Sequence, residues 1–272
     1  MTLAAYQISA VNDALTSENR IHSDDIARKY GFTGALVSGV SVFGYLTHPL
    51  VAALGEHWFA NTIAEVKFLK PAYEGDLLDI GFEQLQAGKQ NHFLVSATGP
   101  DNALLAQLES QQVAELPAAD PFAEQFTEQS ASDIQLTRPE ISWDLIETGR
   151  PAPRYEFLVS AERQRQALSL MRDELALYQQ GESPLIHPYL LLKECNHALM
   201  RMFVLPAWIH VGSRLILREP VRVGESLEIV TVPIEKWERK GHQFIKLYIA
   251  VRRGAQVALE VWHSAIFRLA EN

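Results

Sequence analysis

The sequence predicts an α+β chain built from one unit used twice, each unit a long buried helix wrapped by a curved antiparallel sheet. Three observations carry this. The chain repeats itself at a fixed offset. Each half holds one helical stretch that is apolar nearly all round. Each of those stretches is followed by four segments with period-two alternation of apolar and polar residues.

The repeat is read by sliding the chain 149 positions along itself. "FLKPAYEGDLLDI" then meets "LREPVRVGESLEI", with Pro71 on Pro220, Gly75 on Gly224, Asp76 on Glu225, Leu78 on Leu227 and Ile80 on Ile229. The same shift, without gaps, sets "VSGVSVFGYLTHPLVAALGEHWF" beside "IHPYLLLKECNHALMRMFVLPAW". It pairs His48 with His197 and Tyr6 with Tyr155. Agreement of motif, spacing and apolar pattern across a whole half is a duplication signal, where one short motif would not be.

Each half opens on a short strand, "AAYQI" or "RYEFLVS". The apolar helix follows, over 36–54 in the first half and 185–203 in the second. The first half then continues with "TIAEVKFLKPA", "DLLDIGFEQLQ", "HFLVSATGP" and "ALLAQLESQQVAEL". The second continues with "WIHVGSRLILREP", "ESLEIVTVPIEKW", "QFIKLYIAVRR" and "QVALEVWHSAIFRL". The shared Pro-x-x-x-Gly-acidic signature reads as a strand connection, because proline cannot donate to a ladder and glycine supplies the turn. Pro49 inside the first helix is expected to kink it or to end it near Leu46.

One helix swaddled by such a sheet is the hotdog arrangement, and two of them in tandem make a double hotdog. The first unit is placed at 1–116 and the second at 154–272. Between them, 117–153 reads as an acidic, Pro-bearing crossover linker whose Phe122, Phe126 and Trp143 suggest that it packs.

Composition narrows the function classes. The chain has 272 residues, 47% of them hydrophobic, which is enough for one large domain or two of about 130 residues. A net charge of -9 disfavours nucleic acid as a partner. No apolar run is long enough to span a bilayer, so membrane insertion is not expected. The N-terminus lacks a basic start and apolar core, and Cys195 is the single cysteine, which together point to the cytoplasm. Cys195 itself reads as a packed core thiol. Histidine and cysteine spacings offer no metal site, and no phosphate-binding glycine loop occurs. The most basic stretch, 236–253, is either the solvated face of a hairpin or a landing site for an anionic group such as coenzyme A.

The segment "TSENRIHSDD" is the polar feature that the second half does not repeat. Extended as far as Gly39, the stretch "ENRIHSDDIARKYGFTGALVSG" resembles the signature of the MaoC-like (R)-specific enoyl-CoA hydratases. Asn19, Ile21 and His22 match its core, Asp24 an acidic position, and Gly31, Phe32 and Gly39 its later part. Ser17 stands at the family's catalytic aspartate, Arg20 at its proline, and Ser38 where histidine is frequent. The resemblance implies a double hotdog acting on a small-molecule acyl thioester, an acyl-CoA or acyl-carrier ester, with no cofactor and with room for a homo-oligomer of such protomers. It implies reversible syn-hydration of a trans-2-enoyl thioester, a lyase reaction of fatty acid metabolism. His22 is then the acid–base group, with Asn19 orienting water or imidazole and Glu18 standing in for the absent aspartate. Ser17, Asp24, Ser38 and Gly39 line the substrate, Gly39 and the helix start binding the thioester oxygen.

Other readings remain open. Ser17, Asn19 and Asp24 are good turn formers, and "HSDDIARKYGF" reads equally as a short helix capped by Ser23. A binding protein that lost its catalytic aspartate is one alternative. A hotdog thioesterase using Glu194 is another. His48, His197 and His187 read as structural, and His210 as a strand residue facing either side.

Overall fold

The computed structural model describes residues 6–87, 91–128 and 138–270. The start of the first expected strand, at 4–5, and the middle of the expected linker, at 129–137, lie outside the described residues. The first half runs β1 (Tyr6–Ser9), a 3-10 turn at Arg20–His22, α1 (Asp24–Lys29), α2 (Gly39–Leu54), β2 (Thr62–Phe68), β3 (Leu77–Gln86), β4 (His92–Thr98) and β5 (Leu104–Gln112). The second runs β6 (Tyr155–Leu158), α3 (Ala161–Met171), α4 (Pro188–Met202), β7 (Ile209–Leu217), β8 (Ser226–Arg239), β9 (His242–Arg253) and β10 (Gln256–Arg268).

All ten strands form one antiparallel sheet in the order β1-β3-β4-β5-β2-β7-β10-β9-β8-β6. Read inward from either end, the two halves have the same topology. The duplication reaches individual hydrogen bonds. Gly75 N–H donates to the Ala10 carbonyl at 2.9 Å, and Gly224 N–H to the Val159 carbonyl at 2.8 Å. Both glycines sit at positive φ, +83° and +96°, which is why the repeated turn keeps glycine there. Likewise Val37 N–H meets the Ala72 carbonyl and Ile186 N–H the Val221 carbonyl.

The two long helices lie in the concave face of the sheet and supply much of the core. Phe43, Tyr45, Leu46 and Leu50 of α2 are fully buried, as are Leu192 and Leu199 of α4. Burial of each such aliphatic or Phe side chain is worth roughly 1.5–3 kcal/mol. Helix α2 continues through Pro49 to Leu54 rather than ending near Leu46. The helices approach at Gly44, where an added Cβ would stand 2.5 Å from Met171 Sδ and 3.2 Å from Tyr189 Cβ.

The described ends of the crossover pack against the second half. Phe122 and Phe126 lie on a cluster with Val230, Tyr248 and Ala250 on the outer sheet face, and Asp120 N–H donates to Glu260. Lys236 Nζ donates to the Trp143 and Ile146 carbonyls.

The halves meet where β2 pairs with β7, Thr62 opposite Leu217 through Lys67 opposite Gly212. A Cβ on Gly212 would lie 2.7 Å from the Val66 carbonyl oxygen, a backbone atom that cannot rotate away. Gly212→Ala is therefore expected to destabilise the fold by about 1–3 kcal/mol, read as a lowered denaturation midpoint. Gly44→Ala is expected to cost less, because the Met171 thioether can move.

Candidate active site

A cavity of about 370 Å³ opens between the halves. One wall is the 3-10 turn, the loop leading into α2 and the first turn of α2. The other is the start of β7 and the β8–β9 hairpin, and the Phe68–Ala72 connection closes one side. Asn19, His22, Ser38 and Gly39 all line it, together with His210.

The geometry fixes the protonation of His22. Its Nδ1 lies 2.7 Å from the Leu36 carbonyl oxygen, which only an N–H satisfies. Nδ1 therefore carries the proton and Nε2 is left with a lone pair. Burial pushes the His22 pKa below the ordinary histidine value, and the Leu36 carbonyl and the charge of Asp13 pull it part of the way back. At neutral pH this is an uncharged imidazole with its basic nitrogen inside the cavity.

Asn19 holds that nitrogen in place. It is 3% exposed. Its Nδ2 donates to the Trp208 carbonyl at 2.9 Å and stands 3.2 Å from His22 Nε2, while its Oδ1 accepts from Trp208 N–H at 3.0 Å. One amide thus ties the polar turn of the first half to the backbone just before β7 in the second. Ile21, between them in sequence, is buried and anchors the turn.

The start of α2 faces the same space. Ser38 caps the helix through Ser41 N–H, and its carbonyl takes Val42 N–H, so the N–H groups of Gly39 and Val40 remain available at the positive end of the helix dipole. An added Cβ on Gly39 would stand 3.2 Å from the Phe68 ring and 3.3 Å from His210 Nδ1. The glycine keeps that gap open.

The carboxylate closest to this arrangement is Asp13, which the sequence reading missed. Its side chain is 6% exposed. It accepts from the hydroxyls of Ser38 at 2.7 Å and Ser41 at 2.8 Å, and from Tyr189 and Lys193 of α4. Burial acts to raise its pKa, but Lys193 and the three hydroxyls outweigh that and hold it below the usual carboxylate value. Nothing local in "SAVNDAL" marks Asp13. Its partners come from the start of α2, 25 and 28 residues further on, and from the second unit.

The other sequence candidates lie elsewhere. Glu18 is exposed and forms an ion pair with Arg138 at 3.0 Å, on the wall of a different cavity, so it does not stand in for the missing aspartate beside His22. Ser17 accepts Asn19 N–H at 3.2 Å and shapes the turn. Asp24 accepts Ala35 N–H at 2.8 Å and pairs with Arg28, closing the loop after α1. Ser23 precedes α1, but its hydroxyl bonds to the Arg20 carbonyl instead of capping that helix. Glu194 pairs with His197 at 3.2 Å, outside the His22 cavity. His48 and His187 flank the buried Asp173, at 3.0 and 3.3 Å. Cys195 is buried, and burial raises its thiol pKa above the useful range for a nucleophile.

Much of the basic stretch is neutralised: Lys246 pairs with Glu235, Arg252 with Glu124, and Arg253 with Glu219 and Glu225. Arg239 and Lys240 of that stretch are exceptions, and Lys70 from the first half joins them at the cavity. They are exposed, line the cavity, and have no ion pair among the described residues. Among the described residues, no three His, Cys, Asp or Glu side chains converge as a metal site. Nor, among the described residues, is any helix long and apolar enough to cross a membrane.

Among solved structures, the chain is similar to a candidate MaoC domain dehydratase from Chloroflexus aurantiacus J-10-fl. The match covers 98% of this chain and 94% of that one, at 13% identity and a TM-score of 0.67. It is also similar to a conserved hypothetical protein of Mycobacterium tuberculosis, described as having a double hotdog fold, over 96% of both chains at 13% identity and a TM-score of 0.64. The chain is a double hotdog. A candidate oleoyl thioesterase from Lactobacillus plantarum shares the architecture at 9% identity and a TM-score of 0.52, covering 98% of this chain and 96% of that one. No protein-family model matches the sequence, and no curated protein matches it in sequence. The likeness is therefore one of fold, and within the double hotdog the chemistry rests on the site itself.

Asn19→Ala would remove partners from both the N–H and the carbonyl of Trp208 in a buried place. Each unsatisfied group costs about 1–3 kcal/mol. With two groups affected, the expected result is a loss of about 2–6 kcal/mol in urea, with the tryptophan environment altered in near-UV circular dichroism.

Proposed function

We propose that this protein hydrates trans-2-enoyl thioesters, or dehydrates the corresponding 3-hydroxyacyl thioesters, with His22 as the one acid–base group. The observation that carries the reading is the neutral His22 imidazole, its Nε2 lone pair held in a largely apolar cavity beside the unpaired N–H groups that begin α2. Those are the two things such a reaction needs, a base for water and donors for the enolate-like oxygen.

The steps balance with one base. Nε2 exchanges its contact with the Asn19 N–H for water and takes a proton from that water as the water oxygen bonds to the β carbon. The alkene electron pair moves toward the thioester, placing negative charge on its oxygen, which the Gly39 N–H receives. The imidazolium then returns the proton to the α carbon. Asn19 keeps the ring oriented. Asp13 acts at one remove, fixing Ser38 and the helix start and supplying negative charge that favours the imidazolium. This accounts for a carboxylate being dispensable at position 17. The unpaired Lys70, Arg239 and Lys240 at the rim suit the phosphates of coenzyme A or of a carrier's phosphopantetheine.

The test supplies short and medium trans-2-enoyl-CoAs and follows conjugated absorbance alongside free thiol. Loss of absorbance without thiol supports hydration. Thiol release would instead indicate a thioesterase, and binding without turnover a binding protein. His22→Ala is expected to lower hydration about a hundredfold to ten-thousandfold, and full retained activity would remove His22 from the mechanism.

The pH profile follows from the shift of His22. A base whose pKa is lowered stays active until the pH falls below the ordinary histidine range, so kcat/KM should be flat at neutral pH and drop only in acid. Asp13 raises that pKa, so Asp13→Asn should move the acid limb to still lower pH. An acid limb moving upward would contradict the assignment.

A further inference from the structure

His22 is not alone in facing the cavity. His210, at the start of β7, lines it and is 6% exposed. Its Nε2 lies 2.9 Å from Ser213 Oγ, and Ser213 Oγ lies 3.0 Å from His263 Nδ1. The His210 and His263 rings lie against each other with centroids 4.1 Å apart and planes tilted by 31°. Nδ1 of His210 meets no hydrogen-bonding partner among the described residues. The Gly212 carbonyl stands near the ring and favours its protonated form without making such a bond.

The arrangement depends on a bulge. Residues three apart on a regular strand face opposite sides of a sheet. Between β7 and β10 the register skips Val211: Gly212 pairs with Ser264, and His210 with Ala265. The extra residue brings His210 and Ser213 to the same side, and bulges beside cavities re-aim side chains in this way. Ser213 sits directly opposite His263 in the β7–β10 ladder.

With the one proton of the serine hydroxyl used inside the relay, two neutral states are open. In one, Ser213 donates to His263, whose Nε2 then carries an N–H with no partner in a fully buried place. In the other, His263 Nδ1–H donates to Ser213, Ser213 donates to His210 Nε2, and His210 carries its proton on Nδ1. The second leaves a bare nitrogen buried at His263 and moves the unpartnered N–H to His210 Nδ1, on a residue of the cavity wall. An N–H on the cavity wall can be met by a water or a ligand oxygen, whereas one at the fully buried His263 stays orphaned, so the second state is favoured.

We propose that His210 is a second polar contact for the acyl thioester, donating its Nδ1–H to the carbonyl oxygen beside the Gly39 N–H, with Ser213 and His263 as positioning residues that fix its tautomer. This rests on the acyl-thioester reading of the cavity. It makes the oxygen-binding group a shared product of the two halves: the helix start of the first and the bulged strand of the second. Burial holds both imidazoles neutral, His263 down to about 3, so neither adds a charge at the carbonyl.

The test uses the full-length protein labelled with 15N-histidine, its nine histidines resolved by long-range proton–nitrogen correlation. Free protein is expected to show His210 as the Nδ1–H tautomer, and Ser213→Ala to show a mixture. Saturated butyryl-CoA, which cannot be hydrated, is expected to shift the nitrogens of both His22 and His210. An Nε2–H tautomer at His210, or a shift at His22 alone, overturns the proposal while leaving the acyl-thioester reading intact. No response from either histidine defeats that reading and this proposal together. Two variants add a second measure, because an asparagine amide falls near Nδ1 and a glutamine amide near Nε2. His210→Asn should hold butyryl-CoA affinity within a few-fold, and His210→Gln should lose about tenfold, the scale of one hydrogen bond. Equal effects or the reverse order count against it. The tautomer measurement on the unmutated protein stands even if a variant fails to fold.

Discussion

The pairing of β2 with β7 is the contact on which the rest of the structure depends. It joins two five-stranded sheets into one and fixes the start of β7 behind the polar turn of the first half. Only with that register can the Asn19 amide close on both backbone groups of Trp208, and only then does the β8–β9 hairpin reach the cavity mouth. The close approach at Gly212 is the local condition for it, since the Val66 carbonyl occupies the place of a side chain. A single unit would own the basic imidazole of His22 but would lack the opposite wall.

Divergence between the duplicated halves explains why, among the described residues, the His22 arrangement occurs in one half and not in the other. Each half sets a buried aspartate near its helix start and pairs it across the molecule. Asp13 takes Ser38 and the α4 residues Tyr189 and Lys193, and Asp173 takes His187 and the α2 residue His48. The Leu36 carbonyl receives His22, and the corresponding Leu185 carbonyl receives Gln164 Nε2 at 2.9 Å. Gln164 Oε1 then accepts His187 N–H, so the amide is consumed inside the second half. An amide satisfies the same scaffold bonds as an imidazole but cannot take up a proton at neutral pH. The second half keeps the architecture and gives up the titratable group.

The site illustrates how a missing residue in a motif is misread locally. With serine at position 17, the adjacent Glu18 is the natural substitute in one dimension, yet its side chain turns outward to Arg138. The buried carboxylate comes from Asp13, which no spacing rule connects to His22 because Ser38, Tyr189 and Lys193 recruit it through space. The gap-free repeat alignment is similarly limited. It sets Met171 against His22, whereas the residue with the equivalent hydrogen bond is Gln164.

By itself the sequence determined the double-hotdog architecture, the order of its strands along the chain, the two buried helices and the lone polar segment before the first of them. These follow from period-two alternation, apolar helical stretches and a repeated Pro–Gly turn, all of which are local or nearly so. Tertiary structure alone decided how α2 runs through Pro49, which carboxylate stands behind His22, and which way His210 faces. The reason is physical. A one-residue bulge at Val211 reverses a side chain without changing the apolar pattern, and a buried carboxylate is selected by donors that arrive only when α4 packs against α2. Periodicity records which face of an element is buried, but not which polar groups meet once the faces close.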